Sequence, residues 1–89
     1  MKRVRAVVHG RVQGVGFRYF TAVQARKYGI GGFVKNRFDG TVELEAEGEP
    51  EQLDRFLEQV RQGPTYSHVS RVDITEILET GESGFSIRG

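Results

Sequence analysis

From Thr41 to Glu47 apolar and acidic residues alternate without a break, with Val42, Leu44 and Ala46 on one side and Glu43, Glu45 and Glu47 on the other. A period of two marks a strand with one face buried and the opposite face wet. Just before it, Asp39-Gly40 reads as a two-residue hairpin turn, because both residue types tolerate positive φ. The hairpin joins this strand to another over residues 30–38. A sheet covered on one side only must find its second layer in the rest of the chain.

That second layer is legible as two helices. From Phe17 to Tyr28 helix formers gather, with Phe17, Phe20 and Tyr28 along one side and Gly29 as C-cap. Pro50 suits a first helical turn, after which Leu53, Phe56, Leu57 and Val60 recur at helical spacing until Gly63-Pro64 ends the run. Residues 3–9 read as the first strand, with Val4, Ala6 and Val8 against Arg3, Arg5 and Val7. A fourth strand is expected over residues 66–78, its broken alternation suggesting a bulge, and Phe85-Ser86-Ile87 makes a short last one. The order β-α-β-β-α-β with an added strand predicts an α+β, ferredoxin-like sandwich: an antiparallel sheet with two helices on one face. This fold hosts many unrelated activities and decides none of them.

Composition narrows the options. Eighty-nine residues suffice for one domain, spanning 1–89. A net charge of +1 gives no bulk electrostatic case for nucleic acid or membrane surfaces. The absence of cysteine excludes a disulfide framework, a thiol nucleophile and a Cys-based metal site. No apolar run approaches the ~20 residues that span a bilayer, and Met1-Lys2-Arg3-Val4-Arg5 lacks a following signal region. A cytoplasmic protein is the expectation.

Topology then points to a place. A strand–helix–strand crossover runs its two strands parallel, so the loop after the first strand and the end of the second meet at one sheet edge. Those places hold Gln13–Arg18 and Asn36, and Asn36 shares parity with Val34, toward the helices. Gly14 and Gly16 free the loop to turn successive N–H groups inward, and the loop runs into a helix N-terminus. Arg18 adds a charged fork that matches phosphate oxygens. The same residues also suit a plain tight turn beside a solvated arginine. No lysine completes a P-loop, and Tyr19 stands where a dinucleotide fingerprint needs its third glycine.

The stretch Val8-His9-Gly10-Arg11-Val12-Gln13-Gly14-Val15-Gly16-Phe17-Arg18 resembles the first signature of the acylphosphatase family. Gly32-Phe33-Val34-Lys35-Asn36-Arg37-Phe38-Asp39-Gly40-Thr41-Val42, continuing to Gly48, resembles the second. The likeness runs on through Gly63-Pro64 to Gly84-Phe85-Ser86-Ile87, with Phe33 where many relatives carry tryptophan. The resemblance implies a hydrolase that cleaves acyl phosphates to carboxylate and inorganic phosphate, without cofactor or metal. It implies that Arg18 binds the phosphate, that the backbone of Gln13, Gly14, Val15, Gly16, Phe17 and Arg18 cradles it, and that Asn36 positions the attacking water. The bound phosphate itself would take the water's proton.

Other residues read as structural. His9 falls on the uncovered face and His68 beside a turn, without metal-ligand spacing between them. Glu43, Glu45 and Glu47 read as a solvated strand face. Lys35, Arg37 and Arg11 are candidates for steering anionic substrates. An RNA-binding module of similar topology would need aromatic first and third strands, whereas the first has no aromatic and the third bears glutamates. A phosphate sensor without turnover and an accessory domain of a larger carbamoyl-transfer protein also compete with hydrolysis. A free-standing monomer with a small-molecule substrate and no nucleic-acid or membrane partner is expected.

Overall fold

The alternating segment is the middle of the sheet. In the computed structural model, which describes residues 1–89, it forms β3 (Val42–Gly48). β3 lies between β1 (Lys2–Arg11) and β2 (Gly31–Asn36), antiparallel to both. β4 (His68–Ile77) flanks β1, and β5 (Phe85–Arg88) flanks β2, giving the order β4-β1-β3-β2-β5. β1 and β2 therefore run the same way, as a crossover helix requires.

Two helices, α1 (Phe17–Lys27) and α2 (Pro50–Gln62), complete the ferredoxin-like sandwich. Val4, Ala6 and Val8 of β1, Val34 of β2, and Val42, Leu44 and Ala46 of β3 form the buried side of the sheet. Against them lie Leu53, Phe56, Leu57 and Val60 of α2, the four positions expected from helical spacing. Full burial of such side chains contributes roughly 1.5–3 kcal/mol each before entropy is counted. α1 packs differently. It buries Phe17, Thr21, Ala22 and Ala25, while Phe20 and Tyr28 are only half-buried. Small residues let this helix lie close, which is why its apolar pattern is blurred in the sequence.

Three details depart from expectation. The sheet is mixed, because β5 pairs parallel with β2. The chain leaves β4 at the edge far from the β1–α1 loop and reverses through residues 78–84, so β5 can only run back toward that loop. The hairpin between β2 and β3 has a three-residue loop rather than two. Arg37 N donates to Thr41 O at 2.9 Å and Gly40 N to Arg37 O at 3.3 Å. Asp39 does not take up positive φ, because its carboxylate accepts from Thr41 N at 3.0 Å and Thr41 Oγ1 at 2.6 Å.

The third departure is on the open face. Glu43, Glu45 and Glu47 do not form an open solvated row: Glu47 is only 2% exposed, and Glu43 and Glu45 are half-buried. Their cross-strand neighbours on β1 are Val7, Arg5 and Arg3 in that order, all on the same face. Arg3 Nη1 donates to Glu47 Oε1 at 3.0 Å, and Arg3 Nη2 reaches Glu45 at 2.8 Å and Glu82 at 3.0 Å. Glu47 also accepts from the amides of Thr80 and Gly81, both at 2.9 Å, so the 78–84 reversal covers it. The Thr80 amide is the main cause holding the Glu47 carboxyl below the usual carboxylate range; burial opposes it, and Arg3 and the Gly81 amide reinforce it. The bulge expected in β4 is present: His9 pairs with Arg71 and Gly10 with Val69, leaving Ser70 unopposed.

Candidate active site

The β1–α1 loop is pinned at both ends and carries two glycines in between. Val12 and Phe17 are buried in the core, while Gly14 and Gly16 lie at φ 73° and 78° with no atom near where a Cβ would stand. Gly16 is the N-cap of α1, no side chain caps that end, and no acidic residue occupies the first turn. The leading N–H groups of the helix are thus available, and the dipole favours an anion there.

β2 ends on Asn36, whose cross-strand partner is Val42. Its parity with Val34 directs the side chain to the helix side, where it meets the start of α1. Gly14, Gly16, Phe17, Arg18, Tyr19, Asn36 and Ile87 share one open cleft of about 220 Å³. Arg18 and Asn36, far apart in sequence, are therefore brought together. The Oδ1 atom of Asn36 is buried and receives no hydrogen bond from any protein group. Such an acceptor is costly unless a bound molecule donates to it. Gln13 and Val15 do not line the cleft: the Gln13 side chain turns to the β2–β3 hairpin, and Val15 packs against the core.

A third segment enters the site that the sequence did not disclose. The parallel course of β5 brings Ile87 into the cleft, and the Gly89 carbonyl accepts a hydrogen bond from Arg18 Nη1 at 2.9 Å. That bond holds the long arginine side chain at the mouth of the cleft. No signal in so short a strand announces its neighbour or direction.

Beside Asn36 a larger groove of about 610 Å³ is lined by Lys35, Arg37, Phe38, Asp39 and Gly89. The hydroxyl and amide of Thr41 hold the Asp39 carboxyl below its ordinary range, so this acid stays ionised next to Arg37. Neither cleft nor groove brings together three or more His, Cys, Asp or Glu side chains fit to hold a metal. His9 contacts Asp73 at 2.9 Å on the open face and His68 opens β4 at the surface, both outside the cleft. No helix is long and apolar enough to cross a membrane.

With this geometry in hand, the chain can be set beside known proteins. The family model described as Acylphosphatase matches residues 4–87. An acylphosphatase of Methanocella arvoryzae is 46% identical over 88 residues, covering 99% of this chain and all of that protein. The crystal structure of acylphosphatase from Bacillus subtilis superposes with a TM-score of 0.96 at 46% identity, covering both chains fully. An acylphosphatase structure from Coxiella burnetii gives a TM-score of 0.93 at 36% identity, over 98% of this chain and 92% of that one.

Proposed function

The chain belongs to the acylphosphatase family, and on that premise we propose how its cleft acts: Arg18 and the loop amides bind the phosphoryl group, and Asn36 orients the attacking water. The reaction itself is the hydrolysis of an acyl phosphate to a carboxylate and inorganic phosphate. The observation that carries the proposal is the unpartnered, buried Oδ1 of Asn36, a residue that lines the same cleft as Arg18.

The chemistry asks little of the protein. A carboxylate is already a good leaving group, so catalysis reduces to neutralising phosphoryl charge and aiming a water in line. Arg18 supplies a planar fork of donors, and the N–H groups from Gln13 to Arg18 supply the cradle. Asn36 cannot take a proton at neutral pH, but its Oδ1 accepts a hydrogen bond from a water and so fixes the direction of the water's lone pair. The water oxygen then bonds to phosphorus while the bond from phosphorus to the acyl oxygen breaks, its electron pair leaving on the carboxylate. One water proton passes to a phosphoryl oxygen, so a doubly charged acyl phosphate yields a carboxylate and dihydrogen phosphate. The absence of Asp, Glu, His and Cys from the cleft walls agrees with a proton acceptor on the substrate. A cytoplasmic monomer working without a cofactor completes the proposal.

Release of phosphate from acetyl or benzoyl phosphate, without added metal, tests it. Arg18→Ala is expected to lose both phosphate binding and turnover, and Asn36→Ala to lose turnover while still binding inorganic phosphate. Turnover of the Asn36 variant near the wild-type rate would remove that residue from the mechanism.

A further inference from the structure

Gln13 sits in the phosphate loop, yet its side chain leaves the cleft. Its Nε2 donates to Arg37 O at 2.7 Å and to Thr41 O at 2.9 Å. Both partners are carbonyls, which only accept, so the amide nitrogen must face them and both of its hydrogens are spent. The two carbonyls stand on opposite arms of the β2–β3 hairpin. Arg37 follows Asn36 in the chain, and Thr41 precedes Val42, the cross-strand partner of Asn36. One amide therefore bridges the mouth of the hairpin one residue beyond Asn36.

No other hydrogen bond ties the middle of the loop to the strand it must face. The turn, loop and cap backbone hydrogen bonds include none from residues 12–15. Gly14 and Gly16 leave the backbone permissive, and no other loop side chain from Val12 to Gly16 makes a hydrogen bond. The loop that holds the phosphate and the strand end that holds Asn36 would otherwise meet only through apolar packing of Val12, Val15 and Phe17.

We infer that Gln13 is a positioning residue for hydrolysis, fixing the separation between the phosphate loop and Asn36. The inference rests on the reading of Asn36 as the residue that orients water. Binding of phosphate needs the loop and Arg18 alone, whereas attack needs the water on Asn36 to lie in line with the bound phosphorus. A displacement of about 1 Å at that distance costs on the order of a hundredfold in rate. Loss of the Gln13 bridge thus lowers kcat and spares phosphate affinity.

Gln13→Glu keeps the size of the side chain and sets a carboxylate against two carbonyl oxygens. Steady-state turnover of benzoyl phosphate and inhibition by inorganic phosphate are measured for wild type, Gln13→Glu and Gln13→Ala. Near neutral pH both variants are expected to lose about 30- to 100-fold in kcat, with the inhibition constant of phosphate changed less than about threefold. Once protonated, the introduced carboxyl regains one donor for one carbonyl. The kcat of Gln13→Glu relative to wild type is therefore expected to rise several-fold between about pH 7 and pH 4.5, while that of Gln13→Ala stays flat. A purely structural role would not produce that difference. Wild-type kcat in Gln13→Ala, or parallel loss of kcat and phosphate affinity, overturns the inference. Asn36→Ala run alongside separates the two readings: if it turns over normally the role of Asn36 has failed, whereas a slow Asn36→Ala with a fast Gln13→Ala fells the Gln13 inference alone.

Discussion

Exchanging Asn36 for aspartate changes almost no volume and turns a neutral acceptor into an anion, so its effect on phosphate can be worked out. The cleft that Asn36 shares with Arg18 measures about 220 Å³, which keeps a bound phosphate within roughly 6 Å of the new carboxylate. Two unit charges at about 6 Å repel by about 3 kcal/mol at an effective dielectric constant of about 20. The variant can avoid this by protonating, at about 1.4 kcal/mol for each pH unit above a carboxyl pKa of about 3.9. Binding follows whichever route costs less.

Phosphate affinity of Asn36→Asp relative to wild type is therefore expected to fall about tenfold near pH 5 and to level off around a hundredfold above about pH 6. The unit-charge repulsion holds while phosphate is the monoanion, so the two proteins are compared over that range. Asn36→Ala, which brings no charge, should bind phosphate as wild type does across the same range. Titration calorimetry with inorganic phosphate from about pH 4.5 to 6.5 reads all three. A pH-independent affinity in the aspartate variant would mean that residue 36 does not face the bound anion, and the reasoning would fail at its first step.

Two further outcomes concern the frame that holds the site. A Cβ on Gly32 would stand 1.9 Å from the Glu45 carbonyl oxygen at a φ of 138°, so Gly32→Ala must break the β2–β3 ladder or push the strands apart. A cost above about 3 kcal/mol is expected from backbone strain and lost ladder bonds, read as a urea midpoint lowered by about 2 M or more; a shift under about 0.5 M would contradict so severe a clash. Glu47 has its folded pKa below the ordinary 4.5, so its contribution to stability is complete above that value and is lost as pH falls through the lowered one. Glu47→Gln should be the less stable protein at neutral pH, with the gap narrowing below about pH 4.5 in denaturant titrations; a pH-independent gap would show that its charge is not what the Thr80 and Gly81 amides hold.

Much of this architecture was legible because period and parity are local. The alternation through Val42, Leu44 and Ala46 placed β3 with one buried face, and the spacing of Leu53, Phe56, Leu57 and Val60 placed α2. The parity of Asn36 with Val34, joined to the parallel sense of β1 and β2, brought Asn36 to the loop that carries Arg18. Turn chemistry was harder: Asp39-Gly40 signals a hairpin, but its loop length depends on Thr41, whose amide and hydroxyl both bind the Asp39 carboxylate.

What parity cannot say is what covers the other face. Arg3, Glu45 and Glu47 alternate as a wet face should, and only the return of residues 78–84 over them turns Arg3–Glu47 into a buried pair. That pair and the Thr80 and Gly81 amides fasten the reversal at the edge far from the cleft. Once fastened there, β5 has a single way to run, parallel to β2 and back toward the loop. Its end then delivers Ile87 to the cleft wall and the Gly89 carbonyl to Arg18. The arginine read from the loop is thus oriented by a strand whose course is set by glutamates that looked like solvent-facing residues.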